Sequence, residues 1–219
     1  VNIKPMLARL QSAMGRDDLI EQILLLPEPK KPDYEQCQLA KSVNLIVGYD
    51  ASPNSHTALD IAFWIAHQTR LATNQEVIVQ AVYVLEESHD GQNINRLRLV
   101  DKLPNLECPI GEVSKSTTSV LTQPRLQGIA LHLQQKTLDS LQEADRILWQ
   151  ARSLAEEWQG SFKSHLRFGG VSTELRTVVE NESADILFLG CKSVYHPLIK
   201  QLSSNFPCAV VGVPNCIDE

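Results

Sequence analysis

Between residues 43 and 213 short apolar runs alternate with amphipathic stretches, and this alternation constrains the fold more than any other feature. Residues 43 to 49, VNLIVGY, form a nearly unbroken apolar run, the pattern of a strand covered on both faces. In the Asp50-Ala-Ser-Pro-Asn-Ser stretch that follows, Ser52 suits a helix N-cap and Pro53 the first helical position, which its fixed φ favours. Ala58, Ile61, Ala62, Ile65 and Ala66 then recur along one helical stripe. The same alternation predicts strands at 77–84, 162–168, 184–190 and 208–213, with helices at about 129–159, 171–182 and 197–204. Leu138, Leu141, Leu148, Ala151 and Ala155 are the expected inward stripe of the long helix, and Leu175, Val178 and Val179 that of the next. Trp64, Trp149 and Trp158 fall at helical positions and read as packing anchors. Five strands joined by crossover helices make an α/β fold, and the right-handed crossover rule makes the sheet parallel, open and wound with helices on both faces.

Three regions stand outside this alternation. Residues 1–41 read as a helical extension and linker: Met6, Leu7, Leu10 and Met14 suggest one short amphipathic helix. Asp18-Leu-Ile-Glu21 resembles a capping box opening a second that runs to Pro27. Helices this short are marginal alone, so their apolar faces must dock on the chain's own domain or on a protein partner. The stretch 27–41, rich in proline and charge, is the expected linker to a domain at 42–214. Within that domain, 86–128 lacks periodicity and reads as a long insertion, and 215–219 as a tail.

The 219 residues, 43% of them hydrophobic, suffice for one such domain with extensions. A net charge of −6 without a basic cluster argues against nucleic-acid partners. No apolar stretch approaches the length of a membrane span, and no secretory signal is read at the N-terminus. The five cysteines include no CxxC pair and no histidine at metal-ligand spacing, which fits free thiols and a cytoplasmic location. Cys191 and Cys208 each abut a predicted strand, where a thiol switch is conceivable. The histidines are dispersed and predict no metal site. The sequence has no GxSxG, Walker A, GxGxxG or HExxH motif, so a non-enzymatic role is expected.

Ligands of an open parallel sheet bind at the carboxyl ends of its strands. Here those ends carry Tyr49, Asp50, Ala51 and Ser52; residues 82–85; and Gly190, Cys191, Lys192 and Ser193. NLIVGYDASPNSHTALDIAFWIA, with ADILFLG and PCAVVGVP far downstream, resembles the universal stress protein family over about residues 43–84 and 136–214. The resemblance implies an adenine nucleotide alpha hydrolase-like sheet in the order 3-2-1-4-5, a cytoplasmic location and a homodimer.

One branch of that family binds ATP, which makes ATP or AMP the implied cofactor. Asp50 matches its nucleoside-contacting aspartate and Val82 its adenine-contacting valine. Ala51, Ser52, Lys192 and Ser193 complete the candidate site. Gly190 matches the first glycine of the family's Gly-x2-Gly-x9-Gly-[Ser/Thr] phosphate loop, but Ser193 stands where the second belongs. Counting back from the PCAVV stretch puts the final pair near His196-Pro197, so the nine-residue spacer shrinks to about two. Hydrogen bonds to a charged group contribute about 1.5–3 kcal/mol each, so losing three would cost roughly three to six decades of affinity. ATP binding in the family's usual manner is therefore not expected. The C-terminal strand, with Ala209, Val210, Val211 and Val213, is an apolar edge that pairing with a second copy would cover.

Overall fold

The computed structural model describes residues 3–29, 42–86, 124–202 and 205–214. Most of the expected linker, most of the expected insertion and the tail lie outside them. The chain divides into one unit of Val1–Glu86 with Ala144–Glu219 and another of Glu87–Glu143. The N-terminal extension thus belongs to the sheet-bearing unit.

The sheet is mixed and mostly parallel, with helices on both faces. Its central strand β2 (Val43–Gly48) pairs in parallel with β3 (Val77–Leu85) on one side and β5 (Ile186–Leu189) on the other. β4 (Ser161–Phe168) extends the first side and β6 (Ala209–Val211) the second, both in parallel. These five strands have the expected order. The expectation of five parallel strands is corrected by a sixth, β1 (Leu24–Leu26), which pairs antiparallel with β6.

β1 also corrects the reading of the N-terminal extension. Helix α1 (Ile3–Met14) forms as the periodicity predicts, but α2 (Leu19–Ile23) ends four residues before Pro27. Leu24 is already extended, and the Gly212 amide donates to the Ile23 carbonyl at 2.6 Å. The carboxylate of Asp18 does not cap α2; it accepts from Gln22 Nε2 at 2.5 Å and pairs with Arg16 at 3.6 Å. Leu7, Leu10, Leu19 and Ile23 are at most 4% exposed and join the main core cluster, so both helices dock in cis. The outer edge of β6 that the sequence offers to a second copy is therefore occupied by β1. Pairing across a two-fold axis through Ala209, Val210, Val211 and Val213 would have to displace it.

Strand residues alternate between the two faces. Val43, Leu45 and Val47 face one side with α3 (Pro53–Thr73), the N-terminal helices and the last turns of α4 (Pro124–Trp158); Ile46, Val82, Leu187 and Val210 face the other. There α5 (Val171–Asn181) contributes Leu175, Val178 and Val179, and α6 (Pro197–Leu202) contributes Ile199 and Leu202. The inward stripe of α4 is Ala144, Ile147, Ala151 and Ala155: the expected Ala151 and Ala155 are buried, but Ala144 and Ile147 complete the stripe in place of the expected leucines, and Leu138 is 53% exposed. Trp149 is likewise no anchor. It lies two residues, or about 200° of helical turn, from Ile147, on the opposite face, and is 65% exposed. Trp158 does pack, stacking on Phe63 and donating from Nε1 to Asp60 Oδ1 at 3.3 Å.

Two buried polar side chains cross the second face. Gln80 donates to Asn44 Oδ1 at 3.3 Å, and Asn44 Nδ2 donates to the Glu182 carbonyl at 3.1 Å. The Nε2 of His165 lies 2.7 Å from Gln80 Oε1, so the chain of hydrogen bonds ties β2, β3 and β4 to the end of α5. Burial first, then the charges of Arg167 and Lys163, lower the His165 pKa, with Glu182 opposing.

Candidate functional site

A cleft of about 360 Å³ opens at the carboxyl ends of β2 and β3. The strands supply its apolar surface through Val82, Val84 and Leu189; the first turn of α5 adds Val171 and Leu175, and α6 adds Leu198. Its polar groups are Asp50, Tyr83, Glu86, His196 and Gln201. Among the described residues lining it there is no lysine or arginine.

The turn after β2 is held by its own hydrogen bonds. Ala51 takes a left-handed conformation at φ 61°, which lets the chain reverse into α3. Ser52 caps α3, accepting from the Ser55 amide at 3.2 Å, while its own amide donates to Asp50 Oδ1 at 3.0 Å. Ser55 Oγ in turn accepts from the Asp50 amide at 3.3 Å. Burial alone would raise the pKa of Asp50, but the hydrogen bonds from Ser52 and Ser55 outweigh it, so the group stays ionised below the usual carboxylate range. Just before it, Tyr49 is 2% exposed and its hydroxyl lies 3.0 Å from His56 Nδ1. Burial, then the charges of Asp50 and Asp60, push that hydroxyl up to about 12.

Of the seven residues predicted for the site, only Asp50 and Val82 line the cleft. Ala51 and Ser52 build the turn. Ser193 builds another: its Oγ accepts from the Tyr195 amide and its carbonyl from the His196 amide, both at 3.1 Å. Lys192 is not among the lining residues.

Gly190 lies against α3. A Cβ there would sit 2.9 Å from the Ser55 amide nitrogen and 3.0 Å from the Asn54 carbonyl carbon. The side on which a Cβ would project is thus filled by the first turn of α3. Cys191 is buried, and burial, then Asp50, push its thiol up to about 11. A thiol so rarely ionised makes a poor switch.

The lining residues that the sequence reading did not select include Gly48, Glu86, Val171, Leu175, Leu189, Leu198 and Gln201. One signal could have found some of them: a helix that follows a parallel strand presents its first turn to the strand ends. His196, which the sequence places near the end of the shortened loop, leads into α6 and also serves the cleft. Its carbonyl accepts from the Lys200 amide at 3.2 Å and its Nδ1 from the Leu198 amide at 3.3 Å, and it also lines the cleft. Among the described residues no three histidine, cysteine, aspartate or glutamate side chains gather as metal ligands.

No protein-family model matches the sequence. No curated protein matches it either. The structural neighbours are universal stress proteins at low identity. The universal stress protein UspA from Lactobacillus plantarum is 15% identical with a TM-score of 0.48, covering 77% of this chain and 94% of its own. One from Archaeoglobus fulgidus, solved in complex with dAMP, is 12% identical with a TM-score of 0.45, covering 79% and 99%. One from Arabidopsis thaliana, solved with AMP bound, is 9% identical with a TM-score of 0.47, covering 80% and 94%.

Proposed function

We propose that this chain is a cytoplasmic regulatory protein of the universal-stress type whose cleft senses a small ligand and does not hold ATP through a glycine loop. The observation that carries this reading is the packing of Gly190: it lies so close to the first turn of α3 that a Cβ would meet the Ser55 nitrogen at 2.9 Å, and it does not line the cleft. The lining agrees, because Asp50 and Glu86 oppose an anion and no described lining residue is a lysine or arginine. The apolar walls and few polar groups suit binding more than catalysis. Cys191 and Cys208 are buried and form no disulfide, which fits a reducing compartment.

A second reading, an adenine-nucleotide sensor with a non-standard phosphate site, is favoured by one observation. Asp50 and Val82, the two positions implied to contact the nucleoside, line the same cleft. Isothermal titration with ATP, AMP and cyclic di-AMP in the presence of Mg²⁺ separates the two. The first reading predicts no micromolar binding of any of them; micromolar binding that Asp50→Ala abolishes would establish the second.

A further inference from the structure

We propose that the cleft over the ends of β2 and β3 takes a small organic cation, an amine or amidinium carried on an apolar ring or chain; this rests on the reading of the cleft as a ligand site. The volume of about 360 Å³ lies within the range of small-molecule pockets and accommodates a ring with a polar head. Most of its surface is aliphatic: Val82, Val84 and Leu189 from the strands, Val171, Leu175 and Leu198 from the helices. Such walls favour an apolar body.

The charged lining has one sign. Asp50 and Glu86 are both carboxylates, and Asp50 is kept ionised by the hydrogen bonds from Ser52 and Ser55. A phosphate or carboxylate ligand would bring like charge against these exposed carboxylates, with no lysine or arginine among the described lining residues to offset it. An amine or amidinium head forms charge-assisted hydrogen bonds with the same groups while its stem is buried. Arg167, opposite Val84 on β4, is the nearest cation that the strand register gives to this wall. It lies outside the lining.

The test uses three near-isosteric probes that differ in charge: benzamidine, benzamide and benzoate. Each is titrated into the full chain while the backbone amide resonances of Val82, Tyr83, Leu175 and Leu198 are followed. The proposal predicts benzamidine to bind at least about ten-fold more tightly than benzoate, with benzamide between them. Asp50→Asn retains a side-chain oxygen for the Ser52 amide, and Glu86→Gln is an independent second variant. Each should shrink the benzamidine-to-benzoate ratio several-fold and leave benzamide binding in place. Equal affinities, or a preference for benzoate, would overturn the inference and leave the cleft standing as a ligand site. Absence of any response at the cleft residues to all three probes would overturn both.

Discussion

Replacing Gly190 by alanine distinguishes a glycine that serves packing from one that serves a ligand. The added Cβ would meet the Ser55 nitrogen at 2.9 Å, the Asn54 carbonyl carbon at 3.0 Å and the Asn54 Cβ at 3.1 Å. None of these is the end of a flexible side chain, so α3 must move by several tenths of an ångström. Overpacking of this kind costs about 1–3 kcal/mol. The same movement disturbs the Ser52 cap on the Ser55 amide, worth about 1 kcal/mol more. The expected loss is about 2–4 kcal/mol, which at a urea m-value of about 2 kcal/mol/M lowers the midpoint by about 1–2 M. Gly160→Ala is the control, because its Cβ would approach only the Phe63 ring at 3.4 Å; it should stay within about 1 kcal/mol of the parent in either direction. An unchanged urea midpoint for Gly190→Ala would refute the packing account.

Removing residues 1–26 should bare the β6 edge and the core sites of Leu7, Leu19 and Ile23; sedimentation should then show self-association, and a stable monomer would count against β1 as an edge cover. The single change Ile23→Ala should cost about 2–5 kcal/mol in urea unfolding, since Ile23 is fully buried in the main cluster. The His165 pKa is lowered in the folded chain, so below the unfolded value of 6.5 the unfolded state binds more protons and stability falls with pH until the folded value is passed. The urea midpoint should therefore drop between about pH 7.5 and 5.5, and His165→Gln should flatten that slope; an equal slope in the variant would assign it to other groups. With its thiol at about 11, Cys191 should resist iodoacetamide in the native chain near pH 8, and rapid alkylation at that position by peptide mapping would contradict its burial.

The five strands were legible because strand and helix periods alternate on either side of residues 86–128, their order came from the resemblance to the universal stress proteins, and Ser52-Pro53 marked the start of α3. Leu24–Leu26 was not. Three leucines following an amphipathic turn fit a helix as well as a strand, and only the backbone groups of β6 decide between them. The stripe of α4 was half legible: Ala151 and Ala155 were read as inward, but leucine outranks alanine in hydrophobicity, so Leu138 was chosen where the buried positions are Ala144 and Ile147. At the site, Asp50 and Val82 were found from the strand-end rule. Gly190 was legible as an unusual residue, but the turn of α3 that packs against it comes from residues 136 positions earlier in the chain. Glu86 and Gln201 carry no local pattern, and only the fold brings them to one cleft.

The central claim is that the cleft binds without a phosphate cradle, and titration of the same protein sample with adenosine, AMP and ATP tests it most directly. The account predicts that affinity does not rise from adenosine to ATP, because the described lining offers the added phosphates carboxylates and no lysine or arginine. A rise of ten-fold or more along that series, about 1.4 kcal/mol, would contradict it and require a phosphate site that the geometry at Gly190 does not provide.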